Sequence, residues 1–343
     1  MTSDPAAPER LFDPAPPLRP PPRHSAQNKA ALHYLTMPDG RIKNDSTVQA
    51  IEALPAPLFC GGEAIKNTLI SVPHGGRCYP QGWFEGAYTE RARSLEDSGT
   101  DILGLMLASA SRPALIAQIG RAVCDLNRPE EAMDKHICPE GVFTPNAVYK
   151  PYIMAGYGVI PRLSADREAL YPDPFTPEQA SDILRRFPRP YHQLLAQKLG
   201  IILANHPHGL LVDLHSMPDA ARHFSQKKGP ARRRALPDII FGNLHGATLP
   251  ASLVKIIDEV MGAHRFSWGW NTPYAGGYTT RHYGLEFAKQ PEQPEQPDSH
   301  LSVLQIEVNR TLFLDRNNAI DSAALLSIAQ LLDILLSQLE ASL

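Results

Sequence analysis

The sequence predicts an α/β fold in which helices cover the faces of a sheet. Two observations support this prediction. Short apolar, β-branched runs alternate along the chain with segments of helical periodicity, and 343 residues that are 43% hydrophobic can bury a substantial core. We expect strands at residues 67–72, 114–119, 210–214, 238–241 and 301–308. We expect helices at about residues 99–111, 177–204 with a break at Pro188 and Pro190, 249–263 and 320–339.

The domain organisation follows from length and proline content. The length fits either one large α/β domain or two average domains. Eight prolines between residues 4 and 23 remove backbone donors, so residues 1–30 are expected to form a disordered, Pro-rich tail. Residues 31–343 are then expected to form a single domain, with a surface loop at residues 290–298, where a Pro-Glu-Gln pattern repeats.

The charge balance favours a small ligand over a macromolecular one. A net charge of -3 and a pI near 6.5 provide no general attraction for nucleic acid or an anionic membrane. Five lysines and arginines lie between residues 223 and 236, a run that is typical of a solvated loop and could alternatively guide an acidic substrate. We therefore expect a small, anionic substrate and neither a nucleic-acid nor a membrane partner.

Segment composition and cysteine spacing predict a cytoplasmic protein with reduced thiols. No stretch of about 18 apolar residues occurs, and the first 23 residues lack a basic start followed by an apolar stretch. The cysteines show no metal-binding spacing and are interpreted as reduced thiols. They are Cys60, Cys78, Cys124 and Cys138. Any metal site must therefore be built from histidines and carboxylates.

Two histidines lie where predicted strands end. His74 follows the 67–72 run and precedes two glycines, which let a ligand approach the backbone closely. Its alternative role is a hydrogen-bonded residue in a tight turn. His215 ends an apolar strand, at the edge where open α/β sheets bind ligands, and its alternative role is a core histidine. Asp213, two residues earlier on the same face, could fix the imidazole tautomer, as zinc-bound histidine usually requires.

A metal site with these histidines needs a third ligand, preferably a carboxylate, that leaves one position for water. Asp97 and Asp101 lie at the start of the helix predicted at residues 99–111. Asp97 is equally well explained as a helix N-cap, whereas Asp101 lies one turn later, where no cap is required. Asp101 is therefore the preferred ligand, and Asp97 is the alternative.

Two segments offer groups that could bind an anionic substrate. Residues 122–128 are interpreted as a strand that ends in Asn127 and Arg128. Arg128 could clamp a carboxylate beside the Asn127 amide, or it could form a structural ion pair. The glycine-bracketed loop at residues 276–284 carries Arg281, which could meet negative charge as the loop closes over a ligand. His282 could stack on that ligand, hydrogen-bond to it or assist catalysis.

Glu307 interrupts the apolar strand predicted at residues 301–308. Burial of an unpaired carboxylate is costly, so Glu307 must pair with another group or work at the edge of a site. Beside a metal-activated water it would serve as general base and then as proton donor to a leaving amine.

Six motifs follow one another along residues 67–315: VPHGG, the pair Thr100–Asp101, DLNRP, DLHS, GGYTTRHYG and LQIEVNR. In order and approximate spacing, these motifs resemble the N-formylglutamate amidohydrolase family. The set is also similar to a zinc carboxypeptidase site, in which a glutamate follows the first histidine by three residues. Arg77 occupies that position here, so the carboxylate ligand must come from elsewhere. The family pattern aligns best with Asp101, and Asp97 stays an alternative.

The resemblance implies a fold and a reaction. The fold is a three-layer α/β/α domain around a mixed central sheet, of the phosphorylase/hydrolase-like type. The reaction is hydrolysis of a small N-acyl amino acid, typically N-formyl-L-glutamate to L-glutamate and formate. We expect the protein to be a monomer or a small homo-oligomer.

The resemblance also implies roles for residues. One zinc ion per chain would be held by His74, Asp101 and His215, and would polarise the formyl oxygen and activate water. Glu307 would take the proton of that water and pass it to the departing amine. The substrate-binding residues would be Asn127, Arg128, Arg281 and His282.

Two other functions are compatible with the sequence. One is a different zinc amidase or carboxypeptidase on the same scaffold, with a pocket reshaped by residues 136–171 or by the basic run. The other is a non-catalytic protein that binds an acidic ligand on this fold. The second function predicts the loss of a metal ligand or of the base, and neither is lost in this sequence.

Overall fold

A computed structural model describes residues 49–51, 56–62, 65–80, 83–218, 236–287, 300–315 and 319–343. The predicted tail, the loop at residues 290–298 and the basic run up to residue 235 lie outside the described residues. The strands are β1 (Gln49–Ile51), β2 (Leu58–Cys60), β3 (Thr68–Val72), β4 (Cys78–Pro80), β5 (Ala114–Ile116), β6 (His208–Met217), β7 (Ile239–Gly242), β8 (Trp268–Trp270) and β9 (His300–Asn309). The helices are α1 (Ala87–Arg93), α2 (Thr100–Leu107), α3 (Lys150–Met154), α4 (Pro177–Arg186), α5 (Pro188–Asn205), α6 (Ala251–Gly262), α7 (Tyr278–Arg281) and α8 (Ser322–Glu340).

The main sheet has seven strands in the order β2-β5-β3-β6-β9-β7-β8. Its centre is parallel, since β5, β3, β6 and β9 all run in the same direction. Antiparallel pairs join β2 to β5 and β7 to β9, and β8 runs parallel to β7. The strands β1 and β4 form a separate two-stranded sheet. The predicted α/β fold with a mixed sheet is confirmed.

Alternate residues of the central strands face two separate hydrophobic cores. On β6, Leu210, Val212 and Leu214 face a first core, which also contains buried residues of α2, α6 and α8. Leu211 faces a second core, which contains buried residues of α4 and α5. Helices therefore cover both faces of the sheet, as the three-layer prediction requires.

The predicted elements correspond to observed ones with shifted ends. The five predicted strands are β3, β5, β6, β7 and β9, and the four predicted helical segments contain α2, α4 with α5, α6 and α8. The break within residues 177–204 falls at Phe187, which ends α4 and precedes α5. Pro188 and Pro190 lie in the first turn of α5, where their missing backbone N–H groups have no intrahelical acceptor to lose.

Two local predictions are wrong. Residues 122–128 form a series of turns rather than a strand, with hydrogen bonds from Val123 N to Gly120 O and from Arg128 N to Asp125 O. These residues are buried, and a buried turn has an apolar pattern that resembles that of a short strand. The segment at residues 276–284 is helical from Tyr278 onward rather than a loop throughout, because α7 continues into a π-helix at His282–Glu286.

The helix α8 is long and apolar enough to cross a membrane, judged by length and composition alone. It carries a row of side chains that are buried in the first core, among them Leu325, Leu332 and Leu336. Leu326 on the same helix is 47% exposed. We therefore interpret α8 as an amphipathic core helix.

The packing of α8 leads to a stability prediction. Leu332→Ala removes a side chain that is 0% exposed and leaves a cavity in the first core. The free energy of unfolding, measured by urea denaturation, should fall by about 2–5 kcal/mol. Leu326→Ala, on the exposed side of the same helix, should change it by less than about 0.5 kcal/mol. Equal effects of the two substitutions would contradict the placement of this helix.

Candidate metal centre and its cavity

The carboxyl ends of three neighbouring parallel strands bring polar side chains to one edge of the sheet. His74 follows β3, and His215 lies near the end of β6, directly opposite Glu307 of β9 in the strand register. The face of β6 that begins with the apolar Leu211 continues with Asp213 and His215, because side chains on one face recur every second residue. This edge is where open α/β sheets bind ligands.

His74, Asp97 and His215 form a buried group whose candidate ligand atoms all lie within 4.8 Å of one another. The Nδ1 atom of His215 is 2.9 Å from Asp97 Oδ2. The Nδ1 atom of His74 is 3.4 Å from the same oxygen, without hydrogen-bond geometry, and has no other partner among the described residues. One carboxylate oxygen and two imidazole nitrogens therefore converge on one point.

The structure groups Asp97, and not Asp101, with the two histidines. Asp97 does not cap α2, because the N-cap residue is Gly99 and no side-chain capping bond forms. Its backbone N–H instead donates to His74 O at 3.1 Å, which holds it beside the first histidine. Asp101, the second residue of the helix, accepts a hydrogen bond of 2.7 Å from Arg77 Nη2. Arg77, which the sequence singles out as a departure from the carboxypeptidase pattern, thus engages the other aspartate.

A second pair of aspartates fixes the orientation of the two imidazoles. His74 Nε2 is 2.7 Å from Asp125 Oδ1, and His215 Nε2 is 3.1 Å from Asp213 Oδ1. Burial raises the pKa of Asp125, but the positive charge of Arg121 and interactions with His74 hold that pKa well below its usual range. His215 Nε2 also lies 3.0 Å from Asn127 Nδ2, its hydrogen-bond partner. Each ring therefore has Nε2 beside an aspartate and presents the other nitrogen, Nδ1, to Asp97. This arrangement is typical of metal-bound histidine.

Buried opposite charges shift the pKa values within the group. Burial raises the pKa of Asp97, but interactions with His215 and His74 outweigh burial and hold it well below its usual range. The charge of Arg310 acts in the same direction. Burial lowers the pKa of His215, yet the charge of Asp213 and hydrogen bonds to Asp213 and Asp97 raise it well above its ordinary value. The centre of the group thus favours a positive charge, which a proton or a metal cation can supply.

Glu307 lies beside this group and has an unusual pKa. Its side chain is buried, and its Oε1 accepts a hydrogen bond of 3.1 Å from Gln305 Nε2. Burial raises the pKa of Glu307 to about 7, Asp97 adds to the increase, and the charge of His215 opposes it. A carboxyl group with a pKa near neutrality can both accept and return a proton.

A cavity of about 400 Å³ opens beside the group, a volume that suits a small-molecule ligand. Its wall contains the members of the group together with Glu307 and Gln305. The region 136–171 supplies Tyr152 and Tyr157, and Tyr274 lies on the wall as well. The guanidinium groups that line the cavity belong to Arg121, Arg128 and Arg310.

Arg128 differs from the other two arginines in its partners. Arg121 is ion-paired with Asp125 at 2.9 Å, and Arg310 with Asp97 at 2.9 Å. Arg128 is buried and donates to backbone carbonyl groups, with Nη1 2.7 Å from Asn127 O and Nε 3.2 Å from Tyr157 O. No ion pair of Arg128 occurs within the described residues, and burial lowers its pKa. The structural ion pair that the sequence leaves open for Arg128 is therefore absent from this part of the chain.

Asn127 also lines the cavity, but its amide is engaged within the protein. Its Nδ2 donates to Asp213 Oδ2 at 3.2 Å, and its Oδ1 accepts from Thr279 N at 2.7 Å. A side chain on Gly277 would collide with the Asn127 amide, so this approach requires glycine. Asn127 therefore links α7 to Asp213, behind His215.

Arg281 and His282 are not among the residues that line this cavity. His282 stacks on Tyr278 with ring centroids 5.1 Å apart and lines a neighbouring cavity of about 270 Å³. The helical conformation explains the difference, because α7 and the following π-helix carry these two side chains beyond Gly277, which does line the site. A flexible loop would have allowed Arg281 and His282 to fold over the site.

Sequence reasoning missed several residues of this site. Asp125 lies within the quoted DLNRP motif, two residues before Asn127, and its Oδ1 accepts from the Asn127 backbone N–H at 2.9 Å. Arg310 is the last residue of the quoted LQIEVNR motif, and Arg121 lies four residues before Asp125. The pairs Asp125–His74 and Arg310–Asp97 join residues that are 51 and 213 positions apart, and only the fold brings them together. The tyrosines carried no sequence signal.

Comparison with known proteins shows to which family the chain belongs. Residues 66–314, more than two thirds of the chain, match the family model of N-formylglutamate amidohydrolase. The chain belongs to this family. A curated N-formylglutamate deformylase from Pseudomonas aeruginosa is 29% identical over 253 residues, covering 72% of this chain and 82% of the relative. One from Pseudomonas putida is 27% identical over 252 residues, covering 72% and 81%.

Solved structures share the fold of this N-formylglutamate amidohydrolase family member. A crystal structure of N-formylglutamate amidohydrolase from Ralstonia eutropha JMP134 aligns with a TM-score of 0.69 at 22% identity. The alignment covers 84% of this chain and 98% of that one. A gene product from Agrobacterium tumefaciens aligns with a TM-score of 0.54 at 16% identity over 84% of this chain and 95% of that one.

The pKa of Glu307 leads to a prediction for the metal-free protein. Because its pKa rises from 4.5 to about 7 on folding, the buried carboxylate destabilises the fold as pH increases through this range. Glu307→Gln cannot ionise, so at pH 8 with chelator it should increase the free energy of unfolding by roughly 1–3 kcal/mol. The gain should shrink at pH 5.

The control for this measurement is Glu259→Gln. The Glu259 side chain is 63% exposed on α6 and pairs with Lys255 at the surface. Its substitution should change the free energy of unfolding by less than about 0.5 kcal/mol at either pH. A Glu307→Gln protein that is less stable than wild type at pH 8 would mean that the carboxylate stabilises the fold.

Proposed function

We propose that this chain is a zinc-dependent amidohydrolase that cleaves N-formyl-L-glutamate to L-glutamate and formate. The observation that carries the proposal is the convergence of His74, Asp97 and His215, with each imidazole backed by a buried aspartate. Membership of the N-formylglutamate amidohydrolase family supports hydrolysis, and the names of the two Pseudomonas relatives support this substrate.

The residues present fit a zinc ion. Two imidazole nitrogens and one carboxylate oxygen are a common protein ligand set in catalytic zinc sites, and His74 Nδ1 is a buried nitrogen without a partner among the described residues. We propose His74, Asp97 and His215 as the ligands, with Asp97 in place of Asp101. Zinc in such a site supplies Lewis acidity, which polarises a carbonyl oxygen and makes water a better acid.

Glu307 is the proposed general base. Its raised pKa suits a group that takes a proton from the attacking water and returns it to the departing amine. Gln305 donates to Oε1 and so orients the carboxylate, while both residues share the face of β9 that borders the cavity. Loss of the base should therefore slow the reaction without loss of the metal ligands.

Arg128 is the proposed binding group for a substrate carboxylate. It is the guanidinium on the cavity wall that is not engaged in an ion pair within the described residues, and its burial strengthens any pairing with an anion. Stacking on Tyr152, with 4.2 Å from the guanidinium carbon to the ring centroid, holds its plane in place. We do not extend this role to Arg281 or His282.

Two further predictions are untested. They are the cytoplasmic location and the monomeric or small homo-oligomeric state.

The direct test is turnover of N-formyl-L-glutamate by the purified protein before and after chelation. We expect formate release that chelation abolishes and added Zn²⁺ restores. Glu307→Gln should keep about one zinc per chain and lose about 10²–10⁴-fold in kcat. A panel with N-formimino, N-acetyl and other N-formyl amino acids separates this function from that of another amidase. Absence of turnover for every formylated amino acid would eliminate the proposed substrate.

The choice between the two aspartates is tested by metal content. Asp97→Asn should lose stoichiometric zinc, because it removes the anionic ligand and leaves a neutral amide between the two histidines. Asp101→Asn is the matched control, since Asp101 lies on the same segment as Asp97 and its substitution removes the partner of Arg77. It should retain zinc in an elemental assay. Zinc loss in the control variant, with retention in Asp97→Asn, would reverse the assignment.

A further inference from the structure

The carboxylate of Asp97 divides its two oxygens between different partners. Oδ2 faces the histidines, 2.9 Å from His215 Nδ1 and 3.4 Å from His74 Nδ1. Oδ1 faces away from them and accepts a hydrogen bond of 2.9 Å from Arg310 Nη2. Arg121 is more distant, with Nη1 3.8 Å from the same oxygen. Oδ2 therefore faces the centre of the site, and Oδ1 binds Arg310.

The guanidinium of Arg310 is itself fixed by the strand that carries the second histidine. Its Nε donates to Ser216 Oγ at 2.9 Å, and its Nη2 donates to Ser216 O at 2.9 Å. Ser216 directly follows His215 on β6, and its backbone N–H lies 3.4 Å from Asp97 Oδ2. Arg310 follows β9, only three residues after Glu307. One side chain thus ties together the segments that carry the carboxylate, the second histidine and the proposed base.

We propose that Arg310 is a positioning residue that holds Asp97 as a ligand through Oδ2 alone. This inference rests on the proposed metal site. The hydrogen bond to Oδ1 prevents the carboxylate from turning its second oxygen toward the histidines, and the positive charge offsets the cost of burying Asp97. Groups of this kind behind a metal ligand contribute to metal affinity because they fix the ligand before the ion binds.

The test is the zinc affinity of the full chain, measured by competition with a chelator of known affinity. Arg310→Gln should weaken zinc binding by about 10- to 100-fold. Arg310→Lys keeps a cation that can reach Oδ1 but cannot also form the two bonds to Ser216, so its affinity should lie between those of wild type and Arg310→Gln. Zinc affinity of Arg310→Gln within about two-fold of wild type overturns the proposal.

The matched control is Arg77→Gln. The side chains of Arg77 and Arg310 are 14% and 16% exposed, and each pairs with one of the two aspartates near α2. Arg77→Gln should leave zinc affinity unchanged, whereas a general effect of losing an ion pair would weaken both variants alike and contradict a specific role. If Arg310→Gln does not fold, judged by circular dichroism, Ser216→Ala decides. It removes the hydrogen bond from Arg310 Nε to Ser216 Oγ together with the longer one, 3.4 Å, from Ser216 Oγ to Ser98 O, and unchanged zinc affinity in it would then overturn the proposal.

A wild-type chain that binds no zinc gives a different result from these. It rejects the metal site itself, and with it the proposed function. A wild type that binds zinc tightly, together with variants of equal affinity, rejects the role of Arg310 alone.

Discussion

The site depends on the pairing of two buried imidazoles with two buried aspartates. Asp125 forms a hydrogen bond with Nε2 of His74, Asp213 Oδ1 lies 3.1 Å from Nε2 of His215, and both Nδ1 atoms face Asp97. A histidine ring has only two nitrogens, so fixing one decides where the other points. If either aspartate were lost, its ring could rotate and the three donor atoms would no longer converge. The sheet makes the arrangement rigid, since Asp213 and His215 share one strand.

Burial of many charged groups opposes folding. Pairing of opposite charges offsets this cost. The buried or half-buried ionisable groups around the cavity are Asp97, Asp125, Asp213, Glu307, Arg121, Arg128 and Arg310. With neutral histidines, the carboxylates outnumber the guanidinium groups by one, so the net charge of these groups is negative. A divalent cation would make it positive. The raised pKa of His215 shows the same imbalance, because burial alone would lower it and the negative charge of Asp213 outweighs burial. For Glu307, burial is the main cause of the raised pKa, and the charge of Asp97 adds to it. A site of this kind lowers the stability of the fold but can bind a cation and an anionic substrate.

The fold was largely predictable from sequence, and the site only in part. Short apolar, β-branched runs located the central strands, and both histidines lie at or just after the ends of strands that these runs identified. The choice between Asp97 and Asp101 was not predictable, because it depends on whether α2 begins with a side-chain cap, and Gly99 occupies that position. Arg310 was also out of reach, since its partner is 213 residues away in sequence. The apolar run at residues 122–128 resembled a strand because buried turns and strands share composition.

Anomalous diffraction at the zinc edge, from crystals of the purified full chain, tests the central claim most directly. We expect one peak per chain within bonding distance of His74 Nδ1, His215 Nδ1 and Asp97 Oδ2, with Asp97 Oδ1 still bound to Arg310. We also expect the Nε2 atoms to stay beside Asp125 and Asp213. A peak coordinated by Asp101, a peak elsewhere in the chain, or no peak from zinc-loaded protein would contradict the claim.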